Sequence, residues 1–440
     1  MFIILITIIY LNMRNNKFIK NTLILILGGF LTKVLGMIIK IIMTRNISEL
    51  AIGLYMLVLP TYNLFITLVT QGMQVAISKL ISEDKISKRK ILDTSLKISF
   101  IISIALVFLI ILLSKPIALM LHNEKLYLPI LSSILSIPFI GISNILKGYF
   151  FGKNKMHVQV IGNFLEQVVR IILFILILPK INNDILAVTF IIGSNIVNEV
   201  LSVIVLSLFM DNKSFKISEF KIDKDIKKEI LSISIPTTTS RVIGTISYFF
   251  EPIILTNLLL INGYTTDYIT YEYGIITGYS MQLLLLPSFF SMAISQSIIP
   301  LISNAFVNKR HKYIKKKIKE VILLSFSIGF IYVLLISLKP EFFLKLIYNT
   351  NKGVNYLKIM APIFILLYIQ GPLTSILQSI NKAKESMKAT IQGIIIKTIL
   401  MIILSFLKFG MMAYIIPMLI NIVYVTMHNY IVIKKTTNSF

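Results

Sequence analysis

Twelve apolar runs, most of them 20 residues or longer, restrict this chain to one class of fold. They fall near residues 22–43, 51–79, 94–114, 127–150, 157–178, 185–209, 230–260, 274–303, 321–338, 358–381, 388–407 and 411–433. About 20 apolar residues in helical form cross the hydrocarbon core of a bilayer. Within that core each backbone N–H and C=O must be satisfied inside the protein, which leaves only helices and closed barrels. Barrel strands alternate apolar and polar residues over about ten positions; these runs are longer and do not alternate. The expected fold is all-α, a polytopic membrane protein of about 12 transmembrane helices in two six-helix lobes.

Composition agrees with that class. Of the 440 residues, 14% are charged and 56% hydrophobic, against about 25% and 45–50% in soluble domains; the mean hydropathy is +0.85. A net charge of +25 would point to nucleic acid in a soluble protein. Here the basic residues sit in short loops, where they orient a membrane protein and attract anionic lipid, so no nucleic-acid partner is expected. Cysteine is absent, which excludes disulfides and thiolate chemistry. His122, His157, His311 and His428 are scattered, with no metal-ligand spacing among them. No phosphate-binding loop, nucleophile elbow or zinc-helix motif occurs, and Gly28-Gly29 lies inside an apolar run instead of after a strand. Neither an enzyme nor a metal site is expected. Tryptophan is also absent, so the aromatic belt falls to tyrosine, and Tyr264, Tyr268, Tyr271 and Tyr273 crowd one outer loop.

The loops divide by charge. One set holds 28 cations, including Lys147, six between 213 and 228 and seven between 309 and 319; the opposite set holds 9, among them Arg45, Lys180 and Lys352. The positive side is cytoplasmic, so both termini are expected inside the cell membrane. Residues 22–210 form the N-lobe, 211–229 a basic cytoplasmic linker, and 230–435 the C-lobe. The basic stretch 308–320 reads as an amphipathic helix on the inner surface. Residues 1–21 precede the first span. Within them Met1 to Asn12 are too short to cross and lack the basic start and cleavage site of a signal peptide. They read as a mis-assigned start with Met13 opening the chain, or as an interfacial segment.

The two lobes carry matching strings, Thr32-Lys33-Val34-Leu35-Gly36 and Ser240-Arg241-Val242-Ile243-Gly244. A fainter match joins Gln71 and Ala76-Ile77-Ser78 to Gln296 and Leu301-Ile302-Ser303. The pattern is a parallel repeat about an axis along the membrane normal. It sets a cation at mid-depth in spans one and seven, at a cost of roughly 2.5–3.5 kcal/mol on insertion scales. Such a residue is expected to face water or a ligand.

Gly29, Lys33, Gly36 and Lys40 follow i, i+4, i+7, i+11 spacing and share one helix face. Packing through small residues explains the glycines but not Lys33. Lys40 lies nearer the outer end, where snorkelling explains it equally well. On span seven Thr237, Arg241, Gly244, Tyr248 and Glu251 share a face, and Arg241 offers a planar fork suited to phosphate oxygens. Pro236 and Pro252 bracket this stretch and can bend the helix. Lys33, Arg241 and Lys40 are the expected contacts to an anionic substrate. Glu166 and Arg170, four apart on span five, are expected to pair, as a structural bridge ahead of a gate. Glu199, beside Asn195 and Asn198, either carries a coupling proton or sodium ion or cross-links helices. Glu251 stands ten residues from Arg241, about 15 Å along a straight helix, too far for a direct pair, and is a gating candidate. Arg45 and Glu49 close the first span at the outer surface.

Several of these stretches also carry a likeness: Asn21-Thr22-Leu23-Ile24-Leu25 through Gly36, Ile52-Gly53-Leu54-Tyr55 with Pro60, and Val75-Ala76-Ile77-Ser78-Lys79-Leu80. The second half adds Ser234-Ile235-Pro236 to Arg241 and Glu251-Pro252-Ile253-Ile254. On these residues the chain resembles the stage V sporulation protein B family of the multidrug/oligosaccharidyl-lipid/polysaccharide flippase superfamily. The resemblance implies two lobes about a central cavity, alternating access, and movement of a lipid-linked cell-wall or polysaccharide precursor. It also implies cavity cations like those of the superfamily's lipid II flippases, to which Lys33 and Arg241 correspond in type. Those flippases carry fourteen helices; with twelve, the groove made by the extra pair is not expected.

A lipid diphosphate head is multiply charged and must cross a core about 30 Å thick. Cavity cations shield it while its chain trails in lipid. The expected function is therefore the flipping of an undecaprenyl-pyrophosphate-linked saccharide, with membrane lipids and cell-wall synthesis enzymes as partners. No cofactor is expected beyond a coupling proton or sodium ion. An ion-coupled multidrug exporter of the same superfamily is the alternative, and it would favour buried acids over buried bases. A scaffold that recruits wall-synthesis enzymes through basic loops has no use for charges at mid-depth.

Overall fold

The computed structural model describes residues 17–153, 155–210 and 223–438, with the side chains of 17–27, Pro236, Thr237, Ser240, Gln296 and Pro300 left aside. The segment Met1 to Asn12 and most of the predicted linker lie outside the described residues. Among those residues every regular element is a helix. Helix α1 (Lys17–Asn46) fills the first predicted span. Span two is broken: α2 (Glu49–Thr70) and α3 (Met73–Glu83) meet at Gln71 and Gly72, whose φ angles are 39° and 63°. Span three is α4 (Lys88–Met120), and span four is a pair bent by 42°, α5 (Tyr127–Ser132) with its flanking tight turns followed by α6 (Ile137–Gly152). Then come α7 (Met156–Ile177) and span six as α8 (Asp184–Gly193) with α9 (Asn195–Leu208).

The second half opens with the 38-residue α10 (Lys224–Ile261). Span eight is interrupted more than once: α11 (Thr266–Gly274), a π-helical turn over Ile275–Ser280, α12 (Met281–Leu284), and α13 (Ser288–Val307). The chain ends with α14 (His311–Leu338), α15 (Pro340–Tyr348), α16 (Val354–Ser379), α17 (Ala383–Phe406) and α18 (Met412–Asn438). Among the described residues ten helical stretches are long and apolar enough to cross a bilayer, and the bent pair is an eleventh. Helix α1, with Lys33 and Lys40 inside its 30 residues, stands where the first of the twelve was expected.

One expectation changes. The basic stretch 308–320 is not a separate surface helix: α14 runs unbroken from His311, and Ile314 and Ile318 bury against Ile376, Leu377 and Ile433. Apolar residues four apart anchor those first turns, and the lysines between them stay outside. The chain forms two compact units, one of Met1–Asn46, Val58–Ala118 and Glu124–Ile246, the other of Ile47–Leu57, Leu119–Asn123 and Ser247–Phe440. The boundary falls inside α10, because this helix starts at Lys224, where the Asp223 carboxylate accepts from the backbone N–H groups of Asp225 and Ile226 at 3.1 and 3.3 Å.

Small residues set the closest approaches, as they do where lipid gives no hydrophobic force between helices. In the first unit Gly148 and Gly152 of α6 lie on α3: a Cβ at either would come within 3.0 Å of the backbone of Gln74 or Ser78. Met73, Ile77 and Leu80 close that seam with Ile145, Tyr149 and Phe150. In the second unit a Cβ on Gly274 would stand 2.6 Å from the Cα of Gly53. Outward faces are apolar, as on α4, where Phe100, Ile104, Phe108 and Ile111 are all exposed at helical spacing.

Candidate functional site

The charges inside the spans sort into two kinds. Three lysines are held by acids. Lys97 lies 2.6 Å from Asp93 on α4, with 3% of its side chain exposed. Lys147 of α6 lies 3.2 Å from Glu166 of α7. Lys397 of α17 pairs with Glu251 of α10, both nearly buried. Removing lysine or acid from such a pair leaves a charge in a medium that solvates it poorly. These are structural bridges.

Lys33 and Arg241 are of the other kind: both are exposed, and among the described residues neither pairs with an acid. The backbone explains why their surroundings are open. Helix α1 packs on α7 through Gly28, where a Cβ would meet Val160 at 2.3 Å. The face about 100° away carries Gly29, Lys33, Gly36 and Lys40, and a Cβ at Gly29 or Gly36 would find no atom within 4 Å. On α10, Gly244 is equally open beside Arg241. The hydroxyl of Thr245, one turn past Arg241, donates to the Arg241 carbonyl at 2.6 Å and lies 3.3 Å from that of Thr67 on α2. Each cation thus lies on a helix face whose glycines have open space beside them.

Lys40 lies within electrostatic reach of Lys33 and of Arg170 on α7. The expected Glu166–Arg170 pair does not form. Lys147, counted from sequence among the loop cations, sits instead in the last turns of α6 and takes Glu166. Arg170 stacks over the Phe174 ring at 5.3 Å, and its Nε is buried without a hydrogen-bond partner among the described residues. Glu199 on α9 accepts from the Ser143 hydroxyl at 2.5 Å, with Lys147, Glu166 and Arg170 as charged neighbours. Beside it the amide oxygen of Asn198 is buried and unpartnered among the described residues.

In the second unit Glu251 is answered by Lys397. Lys397 escaped the sequence reading although it sits inside the apolar run 388–407, and Lys97 escaped it in the same way. Glu49 accepts from Tyr271 at 2.7 Å and Thr350 at 3.1 Å, a cross-link and not a free interfacial charge. The tyrosine belt is only partly one: Tyr264 and Tyr268 stack at 5.3 Å, but Tyr273 is buried against Tyr414.

Known proteins give the arrangement its context. The family model described as polysaccharide biosynthesis protein matches residues 18–306, and one described as MatE matches 276–407. Stage V sporulation protein B of Bacillus subtilis is 34% identical over 409 residues, 89% of this chain and 79% of that protein. Lipid II flippase MurJ of the same organism is 22% identical, over 88% of this chain and 77% of its own length. An inward-facing multidrug resistance transporter of the MATE family has the same fold, with a TM-score of 0.73 at 13% identity, over 93% of this chain and 95% of that one.

Proposed function

The chain belongs to the polysaccharide biosynthesis protein family of the multidrug/oligosaccharidyl-lipid/polysaccharide flippase superfamily, a family of multi-pass membrane proteins, and on that premise we propose that it flips an undecaprenyl-pyrophosphate-linked saccharide across the cell membrane. The observation that carries this reading is the contrast between cations. Lys97, Lys147 and Lys397 are neutralised by acids, whereas Lys33 and Arg241 stand open on glycine-flanked faces. A mid-depth cation without an acid is costly unless a ligand or water compensates it. A diphosphate is the matching partner: Arg241 presents two parallel N–H donors to its oxygens, and Lys33 adds a mobile point charge.

Alternating access would carry the head from one face to the other while the polyprenyl chain stays in lipid. Both termini are placed in the cytoplasm by the loop charges, a bias that survives moving Lys147 out of the loops. Glu199 is the candidate for a coupling proton or sodium ion, because among the described residues it pairs with no cation and holds only the Ser143 hydroxyl. The alternative, a multidrug exporter of the same superfamily, asks for acids aimed at a cationic drug. Two of the acids inside the spans, Glu166 and Glu251, are already answered by lysine.

In a strain lacking its own flippase for this lipid, Lys33→Ala and Arg241→Ala are expected to abolish complementation while inserting in the membrane at normal levels. Full complementation by both variants would remove the proposal.

A further inference from the structure

Arg170 is a cation that the proposed site has not used, and its surroundings show that it is available. Its natural acid, Glu166, lies one turn back on α7 but is held by Lys147 from α6 at 3.2 Å. The second nearby acid, Glu199, is engaged by Ser143. The Phe174 ring centroid lies 5.3 Å from the guanidinium carbon, a cation–π contact. Its buried Nε donor is unanswered among the described residues. An unanswered buried donor costs about 1–3 kcal/mol, which an acceptor that reached it would recover.

Register brings Arg170 to the open face of α1. The two helices touch where Gly28 meets Val160, and α1 also reaches the turn Leu178–Lys180 that follows α7, so they run parallel. Ten residues on in each, Ile38 stands level with Arg170, and Lys40 is within about 3 Å of rise. The charge interaction of Lys40 with both Arg170 and Lys33 agrees with this placement. Lys33 is two turns below Lys40, about 10.5 Å along the axis, and long lysine stems can converge on one ligand between them. Glu166 is held by Lys147 and Glu199 by Ser143, so neither acid of this cluster pairs with Arg170.

We propose that Arg170 completes a diphosphate-binding cradle with Lys33 and Lys40, and that its fork reads the second phosphate, selecting a lipid diphosphate over a monophosphate. This deepens the flippase reading and rests on it. Lys147 acts as a positioning residue: by holding Glu166 it keeps that acid off Arg170.

The test uses the full chain in nanodiscs, with farnesyl diphosphate, farnesyl monophosphate and farnesol as probes and binding followed by calorimetry. Wild type is expected to prefer the diphosphate by about tenfold or more, the scale of one charge-assisted fork. Arg170→Gln is expected to erase that preference and keep monophosphate binding, and Arg170→Lys to restore part of it. Lys147→Met is expected to lower diphosphate binding by letting Glu166 capture Arg170, and adding Glu166→Gln to restore it. A rescue through stability alone would restore binding of both phosphates together, whereas a rescue that frees Arg170 restores the preference for the diphosphate. If wild type binds neither phosphate, the flippase reading itself falls. If it binds the diphosphate and Arg170→Gln keeps the full preference, or if Glu166→Gln does not rescue Lys147→Met, the cradle is wrong and the flippase reading stands.

Discussion

Lys33 and Lys147 are both lysines inside apolar helices, and what stands beside each decides its role. Lys147 answers Glu166, so Lys147→Met takes away the partner of a buried carboxylate; Tm should fall, by less than the about 3–5 kcal/mol of a fully stranded charge because Arg170 can take the place of Lys147. Lys33→Met removes a charge that no acid answers, and its Tm should stay level or rise. A large fall for Lys33→Met would mean that it holds the fold together. Sequence made Lys33 and Arg241 legible because a cation in the middle of an apolar run needs a special reason. The partners of Lys147 and Lys397 were not legible, because pairing across helices is decided by tertiary packing. Glu166 had Arg170 at i+4, the favoured spacing on one helix, yet a lysine from α6 reached it first. Lys97 and Lys397 carried the same signal as Lys33, a charge within an apolar run, and could have been found by it.

Helices were easy to place and their interruptions were not. Length and apolarity locate a span within a few residues, since the bilayer sets the requirement. The break at Gln71 and Gly72 and the π turn at Ile275–Ser280 depend on packing that hydropathy does not record. The glycines likewise read alike in sequence but do opposite work. Gly53→Ala would press a Cβ to 2.1 Å from the Thr270 carbonyl oxygen, so it should lower Tm by the several degrees that steric strain in a packed seam brings. Gly36→Ala meets nothing within 4 Å and gains helix propensity of about 1 kcal/mol, so its Tm should hold or increase. Gly36→Phe should insert normally and block transport, because it fills the stripe that Lys33 and Lys40 share. Thermal melts of the three purified variants, with a complementation assay for the last, check these outcomes.

For the whole molecule, the twelve-span plan and its family were legible from apolar runs and a few motifs, while the unit boundary inside α10 was not, since no composition shift marks Ile246. The absence of cysteine makes the topology directly measurable with single-cysteine variants. Lys316→Cys should react with an impermeant maleimide only in opened cells, and Lys352→Cys in intact ones. The reverse pattern would invert the proposed orientation. Glu199→Gln should remove the dependence of transport on its driving ion, and an unchanged dependence would move the coupling site elsewhere. The account as a whole rests on two open cations carrying an anionic head. The most direct measurement is the rate at which reconstituted vesicles flip a fluorescent polyprenyl-diphosphate saccharide, for wild type, Lys33→Ala and Arg241→Ala. The rate should fall to background in both variants with protein incorporation unchanged; flipping at the wild-type rate in either would contradict the account.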